Sequence, residues 1–190
     1  MNRRTFVKQA GVAAAAASLP LTAWSQPPRP SLVIDAMGEI RTIYTPQLIK
    51  EILASGTRAI AITLSDPKVI GHEGYELTLD EIKSHDAYLA SQPTLFIKAT
   101  RSTDIDRAQK EGKLAVFYLI QNASPIDQDF GKLDHLYELG LRSVQLTYNH
   151  RNLAGDGCKE RTDAGLSLFG MELIDRMNTK NMLIDLSHAG

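Results

Sequence analysis

Short apolar runs of strand type alternate with stretches of about ten residues that carry apolar side chains at helical spacing. The longest apolar run, residues 114–120 (LAVFYLI), has no polar alternation. Alternation of this kind means a parallel sheet joined by crossover helices, and an unbroken apolar run is what a strand buried on both faces requires. No GxGxxG and no phosphate-binding loop follow the first strand, so a dinucleotide-binding fold has no support. The predicted class is α/β, a partial (β/α)8 barrel of the TIM type holding about the first five strands.

The elements follow in order along the sequence. Residues 26–30 (QPPRP) form a stiff linker, because proline joins neither a helix nor a ladder there. Residues 31–36 (SLVIDA) open the barrel domain, 31–190, as a short strand. Residues 46–55 (PQLIKEILAS) are predicted helical, with Thr45 as N-cap, Pro46 at the first helical position and Gly56 as the stop. Residues 57–64 (TRAIAITL) are a second strand. A helix over 78–91 follows, capped by Thr78, with Asp80 and Glu81 in its first turn. Residues 95–98 (LFIK) form a minor strand, and 102–111 a helix ended by Gly112. The 114–120 strand leads to a helix over 129–139, ended by Gly140, and then to a strand over 142–147. After an irregular polar loop come a helix over 169–180 and a strand over 182–186. That makes five main strands and a minor one, whereas a closed barrel takes eight. The last strand runs into Ser187-His188-Ala189-Gly190 with no covering helix. The expectation is therefore a truncated, N-terminal part of a barrel whose open apolar edges need further strands.

Residues 1–25 read as a targeting segment. Arg3, Arg4 and Lys8 make a charged start, a short Ala-rich apolar run follows, and Ala23-Trp24-Ser25 offers small residues for a cut before Gln26. The run is too short and too weakly apolar for a stable membrane span. Paired arginines followed by Thr-Phe-Val-Lys resemble a twin-arginine signal, which implies export of a folded protein to the periplasm or beyond. No cysteine lies near the cut, so no lipid anchor is expected there. The net charge is −1, so no basic field points to nucleic acid. Cys158 is the only cysteine, which excludes an internal disulfide and a cysteine-based structural zinc site. Any metal must be held by histidines and carboxylates.

In such a barrel, chemistry sits at the C-terminal ends of the strands. Those ends carry Asp35-Ala36-Met37-Gly38-Glu39, Ser65-Asp66, Gln121-Asn122, Thr147-Tyr148-Asn149-His150 and Asp185-Leu186-Ser187-His188. Two imidazoles and several oxygen ligands converging on one rim are what an open metal site needs. Asp35 and Asp185 also suit a structural role as acceptors for loop amides. His72, His85 and His135 fall in a loop or on helix faces, where surface or packing roles are expected. Cys158 has no neighbouring base and is not proposed as a nucleophile.

The runs Val144–Asn152, Gly155–Gly157, Asp163–Gly170, Met177-Asn178 and Leu183–His188 resemble the membrane (renal) dipeptidase family. The resemblance is strong over 112–190, weak over 31–111, and takes in about half of a family member. It implies a metallo-dependent hydrolase of β/α-barrel fold that cleaves dipeptides, with two zinc ions bridged by a glutamate and an activated water. The implied partner is a small peptide. By resemblance, His188 matches a metal ligand, and His150 matches the histidine that contacts substrate and polarises the scissile carbonyl. The family's first strand ends in a His-x-Asp pair of ligands, where this sequence has Met37 and Glu39. The bridging glutamate's place is taken by Gln121, a neutral amide that bridges metals poorly. Three expectations follow: a periplasmic zinc dipeptidase, a non-catalytic barrel that binds peptides or cell-wall fragments, and an altered amide hydrolase on the same scaffold.

Overall fold

The computed structural model of the protein describes residues 32–190. The signal segment at 1–25 and the linker at 26–30 lie outside the described residues. The elements run β1 (Val33–Gly38), α1 (Pro46–Ala54), β2 (Thr57–Thr63), α2 (Gly71–Ser91), β3 (Phe96–Lys98) and α3 (Thr103–Glu111). They continue with β4 (Leu114–Ile120), a 3-10 turn (Ser124–Ile126), α4 (Phe130–Glu138), β5 (Leu141–Gln145), α5 (Leu168–Thr179) and β6 (Leu183–Asp185). One six-stranded, wholly parallel sheet results, ordered β1-β2-β4-β5-β6 with β3 also on β4. It is the half-barrel that the alternation of strands and helices predicts.

The sheet is organised around β4, all but one of whose residues are buried. One edge carries β2, in register from Ala59↔Ala115 to Thr63↔Leu119. The other edge is shared. β3 takes its first half, from Phe96↔Leu114 to Lys98↔Val116, and β5 its second, from Tyr118↔Leu141 to Ile120↔Val144. β3 shares that edge with β5, so the strand order leaves it off the main path.

Side-chain alternation divides the interior in two. Leu114, Val116, Tyr118 and Ile120 point with Ile60, Ile62 and Leu64 into the main core, where Ile49 of α1, Ile82 of α2, Leu133 and Leu136 of α4, and Leu173 and Met177 of α5 cover them. Ala115 and Ala59 face the other way, into a small cluster with Ile97, Ala99 and Ala108 of α3. A run of alanines lets α3 sit close on that face, opposite the other helices. Buried Tyr118 keeps its hydroxyl satisfied by donating to Asp86 Oδ1 at 2.8 Å. Burial, reinforced by that carboxylate, pushes the phenol's pKa well above its ordinary value. Lys98 Nζ also donates to Asp86 (2.8 Å) and to the Leu139 carbonyl (2.8 Å), tying α2, β3 and the end of α4 together.

The helix ends follow the residues predicted for them. Thr45 Oγ1 accepts from the Leu48 amide and Asp129 Oδ1 from the Gly131 amide. Gly112 and Gly140 end α3 and α4 with φ of 67° and 109°. One helix start differs. α2 begins at Gly71, about two turns before the Thr78 cap expected from sequence. Thr78 is an interior residue, fully buried, whose hydroxyl donates to the Gly74 carbonyl at 2.7 Å instead of capping. His72 is accordingly helical. The edge strands keep apolar side chains in the open, with Ile34 at 49% and Leu183 at 63% exposure. No helix among the described residues is long and apolar enough to cross a membrane.

α5 packs against the preceding loop through Gly170. A Cβ there would collide with the Ala154 carbonyl oxygen. Gly170→Ala is expected to lower the unfolding free energy by about 1–3 kcal/mol, measured by urea denaturation. An unchanged midpoint would mean that the loop yields at no cost.

Candidate active site at the C-terminal rim

Because every strand pair is parallel, the loops after the strands emerge at one rim. The tips of β5 and β6 meet there. The chain turns sharply at Asn149, whose φ of 62° is left-handed, a conformation asparagine tolerates better than most residues. Gly157 then fits against this turn, where a Cβ would lie 2.5 Å from the Asn149 carbonyl oxygen. It also bridges to Ala189, while the Cys158 amide donates to the His188 carbonyl at 2.9 Å.

His150 and His188 are thereby brought to the same rim. The His188 ring lies 4.6 Å from the Tyr148 ring, centre to centre, and its Nδ1 is 3.1 Å from Asn149 Oδ1. An amide oxygen only accepts, so this contact calls for an Nδ1–H donor and leaves Nε2 as the outward ring nitrogen. An oriented imidazole with a free nitrogen is the form that a metal ligand needs. His150, one residue from Asn149, projects outward with its side chain 75% exposed and Nδ1 3.9 Å from Glu160 Oε1.

The opposite corner, where β1 and β4 end, is built differently. Gln121 Nε2 donates to Met37 Sδ at 2.9 Å across the sheet. The two residues at ligand positions by resemblance therefore touch each other, and they present an amide N–H and a thioether to the rim. Glu39 is held by Arg41, with Nε–Oε1 of 2.6 Å and Nη2–Oε2 of 3.2 Å. Asp35 accepts from the Met37 amide and Asp185 from the Ser187 amide, the structural roles expected for both. His85 is a packing residue, with ring nitrogens 2.9 and 3.0 Å from the Glu81 and Ile40 carbonyls.

A network of side-chain amides ties the rim loops together. Asn122, after β4, donates to the Pro67 carbonyl at 2.8 Å, and its Oδ1 accepts from Asn152 Nδ2 at 2.8 Å. Asn152 also donates to the Leu146 carbonyl and accepts from the Ala154 amide. The loops after β2, β4 and β5 thus form one unit, and between them opens a cleft of 930 Å³ that His150 helps to line. Asp156 anchors the β5–α5 loop by pairing with Arg151 through both oxygens and accepting from the Ala164 amide. Sequence reasoning named the histidines but missed Asn149 as the partner of His188, Asn152 and Asp156. The only sequence signal for them was their place in the polar run from Tyr148 to Gly157.

The half-barrel and its rim define a protein of the β/α-barrel class. Residues 29–190 match the profile of the Membrane dipeptidase (Peptidase family M19) family, and the chain belongs to that family. An uncharacterized dipeptidase of Schizosaccharomyces pombe is 33% identical over 85 residues, 43% of this chain and 20% of the relative. A crystal structure of an amidohydrolase from Pseudomonas aeruginosa superposes with a TM-score of 0.73 at 31% identity, covering 84% of this chain and 47% of that one. A metallo peptidase from Rhodobacter sphaeroides, liganded with a phosphinate mimic of the dipeptide L-Ala-D-Ala, matches with a TM-score of 0.68 at 13% identity, covering 84% of this chain and 59% of that one. The chain spans about half the length of these solved structures, and a smaller share of the curated relatives it matches.

A two-ion zinc centre does not fit the residues of this rim. Among the described residues no three His, Cys, Asp or Glu side chains gather closely enough to hold an ion. Met37 and Gln121 satisfy each other, and Glu39 is neutralised by Arg41. His188 has its imidazole oriented by Asn149 Oδ1.

The Arg151 guanidinium holds the Asp156 carboxyl below the usual carboxylate range, helped by the Ala164 amide. Because the folded value is the lower one, the stabilisation is complete at neutral pH. It is lost as pH falls through the folded value. Amide-exchange protection in the loop over 151–165, taken relative to the intrinsic rate at each pH, is expected to fall on that acid limb. Asp156→Asn is expected to exchange fast already at neutral pH, with the acid dependence flattened; an unchanged profile would remove Asp156 as the anchor.

Proposed function

We propose that the protein is an exported, metal-dependent dipeptidase whose substrate lies along the rim between His150 and His188. The observation that carries this reading is the contact between His188 and Asn149, which joins the two histidines in one arrangement beside an open cleft. Family membership and the dipeptide mimic bound by the Rhodobacter relative support a small peptide as substrate. The twin-arginine-type leader supports export to the periplasm.

In this reading His150 meets the scissile carbonyl and stabilises the charge that develops on its oxygen. Its exposure leaves the ring free to reach a ligand in the cleft. His188, with Nδ1–H fixed on Asn149, presents Nε2 as the nitrogen a zinc ion would take. Glu39 and Gln121, the weaker candidates, are engaged with Arg41 and Met37.

A second reading has its own support. The Met37–Gln121 contact replaces two ligand positions with a pair that needs no metal, as suits a barrel that binds peptides or cell-wall fragments without cleaving them. Metal content and turnover discriminate the two. Incubating the intact protein with dipeptides should give hydrolysis that a chelator abolishes and zinc restores. Zinc-loaded protein that binds dipeptides without cleaving them establishes the second reading in its place. For the enzyme, His150→Ala is expected to lower kcat by roughly 10²–10³-fold, the usual loss of one oxyanion donor. The melting temperature should not move, because the side chain is exposed. Unchanged turnover would remove His150 from the reaction.

A further inference from the structure

We infer that the cavity at the starts of β5 and β6 is a binding site for a phosphate-type dianion, separate from the rim and from the peptide reading. The cavity has a volume of 520 Å³. Arg101, Arg142 and Lys180 line it, and none of its lining residues is acidic. Contacts fix where these cations stand. Arg142, the second residue of β5, donates from Nε to the Thr100 carbonyl at 2.8 Å and from Nη1 to the Tyr137 and Leu141 carbonyls at 2.7 Å. Its guanidinium carbon lies 4.1 Å from the centre of the Tyr137 ring, and Lys180 Nζ lies 4.9 Å from the centre of the same ring. Burial holds the Arg142 guanidinium below its ordinary pKa, and the nearby positive charge of Arg101 adds to this, while Tyr137 and Asp104 act against it.

The positive charge is only partly compensated. Lys180 pairs with Asp134 at 2.7 Å. Arg101 and Arg142 make no ion pair among the described residues. Asp104 is engaged elsewhere, since its Oδ2 accepts from the Thr100 and Arg101 amides and its Oδ1 lies 3.3 Å from Arg107. Arg142 Nη2 has no hydrogen-bond partner among the described residues. Ser143, also on the cavity wall, is only 7% exposed, and its hydroxyl has no partner among the described residues either. A buried hydroxyl and a half-buried guanidinium left without acceptors are costly unless a ligand answers them. A tetrahedral dianion meets both unpaired charges, and the planar guanidinium fork suits its oxygens. The rest of the wall, with Ala61, Phe117 and Leu183, is apolar and suits the organic part of a phosphomonoester.

Calorimetry on the intact protein, at low ionic strength and a mildly alkaline pH where both ligands are dianions, would compare inorganic phosphate with phenyl phosphate. At least one is expected to bind with a Kd below about 1 mM, more weakly as salt is added. Tighter binding of phenyl phosphate assigns the site to a phosphomonoester, and equal or weaker binding assigns it to free phosphate. Arg101→Gln and Ser143→Ala each remove one donor and should weaken binding about tenfold, the usual loss of a hydrogen bond to a charged group. Arg101 is exposed, so its variant should keep the parent melting temperature. Lys159→Gln, in the rim cleft, should leave the affinity unchanged. Binding of neither ligand, an affinity that neither cavity variant lowers, or an affinity lost in Lys159→Gln overturns the site.

Discussion

The parallel ladder on both edges of β4 is the constraint on which the rest depends. A parallel pair cannot be closed by a tight turn, so each connection must cross the sheet and return every strand in the same direction. β4 imposes that direction on β2 through one edge and on β3 and β5 through the other. Its buried residues leave no alternative register, because a shift by one would exchange Leu114, Val116, Tyr118 and Ile120 for the alanine-bearing face. With direction and register set, Met37, Gln121, His150 and His188 fall at one rim although they are far apart in sequence. The chemistry is a consequence of that ladder, and nothing in the local sequence around either histidine would otherwise bring them together.

What was legible in the sequence follows from the same physics. The unbroken apolar run of β4, the Thr45–Pro46 helix start and the Gly112 and Gly140 stops are local signals, and each appears where the residues place it. The start of α2 was not legible, because Thr78 is a capping residue by type and an interior residue by burial; its hydroxyl bonds back to Gly74 within the helix and meets Ser65 after β2. The seating of α3 on the opposite face was hidden too. Its cause is a set of alanines on β2, β4, α3 and the residue after β3 that no single segment reveals. At the site, strand-end topology singled out the histidines, but the partners that orient them are asparagines. An asparagine in a polar loop carries no periodicity, and its role appears only when Asn122 meets Asn152 and Asn149 meets His188.

Met37 and Gln121 make sense as a pair. A lone glutamine between two cations would leave their charge uncompensated, and a lone methionine would remove an imidazole without filling its polar environment. Together they satisfy each other, N–H to sulfur, across strands that are not hydrogen-bonded neighbours. Arg41 completes the change by neutralising Glu39, which would otherwise be a free carboxylate with no cation to hold. The residues of this corner therefore satisfy one another, whereas at the other corner His188 is oriented by Asn149. The asymmetry lies between the two ends of the same sheet.

The cleft beside His150 follows from how the loops are held. Long irregular loops usually move, and a site built on moving groups recognises little. Here the loop after β5 has its backbone groups answered from within by Asn152 and Asp156, and Gly157 packs it against the turn at Asn149. Asn122 extends the same network to the loop after β2. Asparagines and a buried aspartate are used for internal bonding, and that bonding holds the turn which carries His150. A rim so arranged presents its exposed imidazole on ordered backbone, beside the one that Asn149 orients.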